Sequence, residues 1–185
     1  FGGTSVGTVK KIKKVANIIA DYRKKKYKII VVSSAMSGVT NELIKKSTKI
    51  SSNFSDSEYD VLVSSGEQIA CSLIAGRLIK KGYKSRSWLS WQIPIFTKGV
   101  HKNSRIKLIN KNKISSYLKK GGIPIITGFQ GINEENRLTT IGMPPLFKYF
   151  IIFLLFIRFI LEYLCLPFVK IGTCQDNQDL DSYPS

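Results

Sequence analysis

The chain has 185 residues, of which 43% are hydrophobic and 22% charged; that is enough for one domain with a sizeable core and too apolar for an intrinsically disordered chain. Its net charge of +17 is uneven, because residues 143–185 carry three Lys or Arg and four Asp or Glu, which leaves 26 basic against eight acidic residues in the first 142. Such an excess suggests nucleic acid, an acidic membrane or an anionic substrate. The lysines, however, fall in short runs such as Lys10, Lys11, Lys13, Lys14 and Lys24 to Lys26, typical of solvated helix faces, and no groove-reading module or aromatic-interleaved basic patch accompanies them, so no nucleic-acid partner is expected.

The chain opens on "FGGTSVG". Gly2 and Gly3 would let the backbone approach an anion while Thr4, Ser5 and a helix N-terminus point at it, although a plain N-terminal turn explains the same residues. Val9, Ile12, Val15, Ala16, Ile19 and Tyr22 then recur at three- and four-residue steps and predict one apolar helix face. "YKIIVVSS", residues 27–34, reads as a buried strand of a mostly parallel sheet. The turn "SAMSGVTN" follows, with Ser34, Ser37 and Thr40 around Gly38. Ligand sites in open α/β sheets lie beyond the carboxyl ends of strands, so these hydroxyls suit either a ligand or a helix cap.

Residues 50–58 read as a polar loop, and Val61, Leu62, Ile69, Leu73, Ile74 and Leu78 predict a helix ending at Gly82. "SSGEQ" then places Glu67 near that helix's start, where its carboxylate would hold a substrate ammonium or complement the helix dipole. Short strands are expected between residues 84 and 109, a short helix over "NKNKISSYLKKGG", and a second buried strand over "IPIITGFQGI". Helix, apolar strand, glycine turn and helix recur, which predicts an α/β fold with helices on both sheet faces.

Residues 146–169, "LFKYFIIFLLFIRFILEYLCLPFV", break this pattern. Their length approaches a membrane span, but Arg158 and Glu162 disfavour one; a buried helix and a segment that is not evolved protein sequence are the alternatives, with "TCQDNQDLDSYPS" as a disordered end. Cys71, Cys165 and Cys174 are odd in number and lack framework spacing, which implies a reducing, cytoplasmic setting. They and His101, the single histidine, are expected to have structural or solvated roles, without a metal site. The start has neither a leader pattern nor an initiator Met, and is read as lacking its first residues.

Five blocks in order, "FGGTSV" (1–6), "VVSSAMSGVTN" (31–41), "LVSSGEQ" (62–68), "WQIPIFT" (91–97) and "GGIPIITGFQGINEENRLTTIG" (121–142), resemble the N-terminal part of the catalytic domain of aspartokinases, in the amino-acid-kinase superfamily. The resemblance implies a three-layer amino-acid-kinase-like fold with a mostly parallel central sheet, here incomplete. It implies transfer of the ATP γ-phosphoryl group, with Mg2+, to the side chain of L-aspartate. The product, 4-phospho-L-aspartate, feeds lysine, threonine, methionine and diaminopimelate synthesis. It places Gly2, Gly3, Thr4 and Ser5 in the phosphate-cradling loop, Ser34 and Thr40 against aspartate, and Glu67 on its amino group. Complete relatives are expected to be homo-oligomers. A glutamate-type kinase shares the opening glycines, but "SAMSGVTN" and "SSGEQ" favour aspartate.

The sequence also departs from the family pattern. The family's lysine falls immediately before Phe1, and its Arg-Gly-Gly-Ser-Asp segment is replaced by Met143, Pro144, Pro145 and the apolar run. The nucleotide-binding half and the ACT regulatory domains do not follow. Residues 1–142 are therefore read as a partial catalytic domain, and 143–185 as an unrelated apolar segment and polar tail produced by a frame change or a defective copy near residue 142. Little or no activity and poor folding are expected, because electrostatic positioning supplies most of phosphoryl-transfer catalysis and half a sheet leaves edges unpaired.

Overall fold

A computed structural model of the chain describes residues 1–142; the apolar run 146–169, with Arg158, Glu162, Cys165 and Cys174, lies outside the described residues. The first helix, α1 (Val9–Lys24), starts where Thr8 accepts the Lys11 backbone N–H and ends with Arg23 and Lys24 in its last turn, where cations favour the dipole. Ile12, Val15, Ala16, Ile19 and Ala20 are its buried face. Val9, expected on that face, is 58% exposed because it begins the helix ahead of the stripe.

The expected strand at 27–34 is narrower: β1 is Val31–Ser33, limited by the three residues that pair with β5. Then come α2 (Val39–Ile50), α3 (Asp56–Lys80), β2 (Ser85–Trp88), β3 (Ile95–Lys98), β4 (Arg105–Ile109), α4 (Asn112–Lys119), β5 (Ile123–Thr127), β6 (Gln130–Ile132) and β7 (Leu138–Thr140). The predicted single strand over "IPIITGFQGI" is therefore two. The chain breaks at Gly128 and Phe129, and β6 returns as β7 through a loop in which Asn133 Oδ1 accepts the N–H groups of Glu135 and Arg137 and Asn136 takes a left-handed φ of 59°.

β1, β5 and β2 form a wholly parallel sheet in that order. A second sheet, β4-β3-β6-β7, is mixed: β3 pairs parallel with β6, while β3 with β4 and β6 with β7 are antiparallel. The first sheet separates two cores by strict alternation. Ile29, Val31, Ile123 and Ile125 face α1 and α3, packing with Val15, Ile19, Ile74 and Leu78. Ile30, Val32 and Ile126 face α4, packing with Trp88, Ile114 and Leu118. Period-two side chains on a strand buried on both faces give this division directly, and the expected three layers follow. Among the described residues no helix is long and apolar enough to cross a membrane.

Candidate functional site

The site forms where β1 ends. The Phe1 amino group donates to the Val32 carbonyl at 2.7 Å, and the Ser34 N–H donates to the Phe1 carbonyl at 3.0 Å, so the glycine loop starts alongside the strand's carboxyl end. Ser5 N–H closes a turn on Gly2 O at 3.0 Å, and Ser37 N–H reaches Gly3 O at 3.1 Å. A Cβ at Gly3 would stand 2.9 Å from the Ala35 carbonyl oxygen, which explains glycine there: the 1–5 loop and the 34–38 turn lie backbone against backbone. Thr4 and Ser34 are exposed, Thr40 is half-buried and Ser5 is buried. The Lys11 ammonium donates to the Thr4 carbonyl at 3.0 Å. Helix α1 begins four positions past Ser5.

The turn leads into α2 through Gly38, whose φ of 85° is left-handed. No side chain caps α2, so Ser34, Ser37 and Thr40 do not serve as its cap. Gly66 of α3 lets this turn pack closely: a Cβ there would lie 3.1 Å from Ala35 Cβ and 3.2 Å from Val39 Cγ1.

Glu67 is not at a helix start, contrary to the sequence expectation. It lies in the interior of the 25-residue α3, whose first-turn acids are Asp56 and Glu58. A role at the positive end of the helix is therefore excluded. Glu67 is 3% exposed, and its Oε2 accepts from the Phe129 N–H at 3.0 Å and from Gln130 Nε2 at 3.3 Å. Burial pushes its carboxyl up to about 7, although the bonds from Phe129, Gln130 and Gly128 oppose the shift. Gln130 is itself fixed, donating to Ser64 O at 3.1 Å and accepting from Ser90 Oγ at 3.4 Å.

Sequence reasoning missed Phe129, Gln130 and a second buried carboxylate. Asp60 is 0% exposed; it accepts from Thr140 Oγ1 at 2.5 Å and from the Lys102 N–H at 3.1 and 3.2 Å, and His101 Nδ1 lies 2.6 Å from its Oδ2. His101 is thereby structural. Cys71 is buried, and burial raises its thiol pKa far enough to keep it inert.

The structure thus brings the Gly2–Ser5 loop and the Ser34–Thr40 turn together and sets α3, with Glu67, against that turn. Chemically this combines a glycine loop able to approach an anion, hydroxyls on an adjoining turn, and one buried carboxylate that a cationic group would draw into its ionised form. Among the described residues no group of three or more His, Cys, Asp or Glu side chains converges to hold a metal.

The sequence profile of the Amino acid kinase family matches residues 1–143. The aspartokinase of Rickettsia conorii is 46% identical over 145 residues, covering 77% of this chain and 36% of the relative; aspartokinase 2 of Bacillus subtilis is 42% identical over 142 residues, covering 77% and 35%. The chain thus spans about a third of the length of the curated relatives it matches. Among solved structures, aspartate kinase from Synechocystis superposes with a TM-score of 0.64 at 32% identity, over 77% of this chain and 23% of that one. The aspartokinase III of E. coli, in complex with aspartate and ADP, gives 0.63 at 19% identity, over 77% and 42%, which speaks to the fold alone.

Proposed function

Because the chain belongs to the amino acid kinase family over residues 1–143, we propose that it is the N-terminal part of an ATP-dependent kinase that phosphorylates the side-chain carboxylate of L-aspartate. The observation that carries this reading is the mutual packing of the Gly2–Ser5 loop, the 34–38 turn and α3 at Gly66, next to Glu67. The reaction must bring two anions, a triphosphate and a carboxylate, into line, and positioning plus electrostatic stabilisation does most of that work.

In this reading the backbone of Gly2, Gly3, Thr4 and Ser5 approaches the phosphates without side-chain obstruction. Ser34 and Thr40 donate hydroxyls to aspartate oxygens. The bonds from Phe129 and Gln130 converge on Glu67 Oε2; in this reading the carboxylate also accepts from the substrate ammonium, whose positive charge offsets the desolvation that raises the Glu67 carboxyl. The nucleophile is already ionised, so no general base is needed. Mg2+ would accompany ATP, and because Glu67 holds the ammonium and the described residues bring together no group of three or more His, Cys, Asp or Glu side chains, they do not supply a protein ligand set for it.

Residues 1–142 by themselves leave the cation clamp for the transferring phosphoryl group unassigned, and we propose that they do not turn over. The test grafts residues 1–142 onto the remaining part of the Rickettsia conorii aspartokinase and assays acyl-phosphate formation with aspartate and with glutamate. Aspartate-dependent product supports the proposal. Glutamate phosphorylation without aspartate phosphorylation overturns it in favour of a glutamate-type kinase.

A further inference from the structure

Residues 68–133 contain no Asp or Glu and thirteen Lys or Arg. The fold gathers four of these cations on the α4 side of the parallel sheet, around two aromatic rings. The Arg86 guanidinium carbon lies 4.2 Å from the Trp88 ring centroid, and the Lys84 ammonium 5.8 Å from that of Tyr117. The two rings meet edge to face at 5.5 Å. Beside them opens a cleft of about 400 Å³ lined by Trp88, Asn112, Lys113, Ser116, Tyr117 and Lys120.

Two observations mark this cleft as more than a solvated basic face. Lys84, Arg86, Lys113 and Lys120 make no ion pair among the described residues, so their mutual repulsion is uncompensated by protein carboxylates. Trp88 is 5% exposed, yet its indole N–H has no acceptor among the described residues, and a buried unpaired donor carries a desolvation cost.

We propose that the cleft between β2 and α4 binds a small phosphate-bearing anion. The ammonium groups of Lys113 and Lys120 and the polar side chains of Asn112 and Ser116 line the cleft, with Arg86 and Lys84 held against the two rings beside it; this set suits an anion with several oxygens better than a single carboxylate. Trp88 and Tyr117 are engaged with each other and with Arg86 and Lys84, so neither offers the open stacking face that single-stranded nucleic acid uses. The sequence showed no such patch because its two halves, 84–88 and 112–120, meet only in the fold. The cleft shares no residue with the Gly2–Ser5, Ser34–Thr40 and Glu67 site and is independent of the reading given to that site.

The test uses the full chain with Trp91→Phe, which leaves Trp88 as the single tryptophan, titrated with inorganic pyrophosphate at constant ionic strength. The expected result is a saturable change in Trp88 fluorescence whose midpoint shifts at least ~10-fold in an Arg86→Gln, Lys113→Gln double variant and in Lys120→Gln, with circular dichroism unchanged. All three positions are exposed. A non-saturable response, the same midpoint in the variants, or an equal response to sodium chloride alone (an adventitious ion only) overturns the proposal. Tighter binding of a single-stranded oligonucleotide than of pyrophosphate through the same cations also overturns it, and would mark an extended nucleic-acid surface.

Discussion

Asp60 and Glu67 stand seven residues apart on α3, two helical turns along the same face, and each holds one strand of the β6–β7 hairpin: Asp60 takes the Thr140 hydroxyl of β7, and Glu67 takes the Gln130 amide of β6. Two buried carboxylates thus dock the second sheet on the helix that carries the candidate site.

Asp60→Ala strands the Thr140 hydroxyl, the Lys102 N–H and the His101 ring together. Urea denaturation should show a loss of about 3 kcal/mol, with Asp60→Asn losing less because it keeps an acceptor. Equal stability of Asp60→Ala and the parent chain would remove Asp60 from the docking role.

Gly3 and Gly2 form an internal comparison. A Cβ at Gly3 meets the Ala35 carbonyl oxygen at 2.9 Å, whereas one at Gly2 meets nothing within 4 Å among the described residues. Gly3→Ala should cost about 1–3 kcal/mol by forcing the two loops apart, and Gly2→Ala should be near neutral. Similar midpoints for the two variants would contradict the packing of the loops.

The pH dependence follows from Glu67. Its carboxyl is raised from 4.5 to about 7 by burial, so the unfolded chain gives up this proton at lower pH than the folded one. The associated stability is fully present below pH 4.5 and is lost as pH rises through about 7, by an amount on the order of 3 kcal/mol. Stability curves should fall across that window, and Glu67→Gln should flatten the fall. A slope unchanged by Glu67→Gln would show that Glu67 does not titrate there.

Much of this architecture is legible from residue periodicity. Ile12, Val15, Ala16 and Ile19 reveal α1 because their spacing coincides with its buried face, and the unbroken apolar run of β5 reflects burial on both sides. Glu67 falls near the expected helix start because residues 50–58 read as a polar loop, whereas α3 already begins at Asp56. In the fold, Ser64 and Ser65 bond back to the Val61 and Leu62 carbonyls within the helix, and Gly66 makes room for α2. The Asp60–His101 contact spans 41 residues and no local pattern encodes it. The β6–β7 hairpin was hidden for a similar reason: Gln130, Thr139 and Thr140 are polar yet almost fully buried, so their burial depends on partners from α3 and β3.

The central claim, that Glu67 and the two packed loops form the amino-acid site of an aspartate-phosphorylating enzyme, is tested most directly by comparing Glu67→Gln with the parent in the graft on the Rickettsia conorii aspartokinase. Loss of one charged hydrogen bond to the substrate ammonium, worth about 3 kcal/mol, predicts a fall of about 100-fold in kcat/KM for aspartate at pH 8, with fold and assembly intact. An unchanged kcat/KM for aspartate in Glu67→Gln would contradict it.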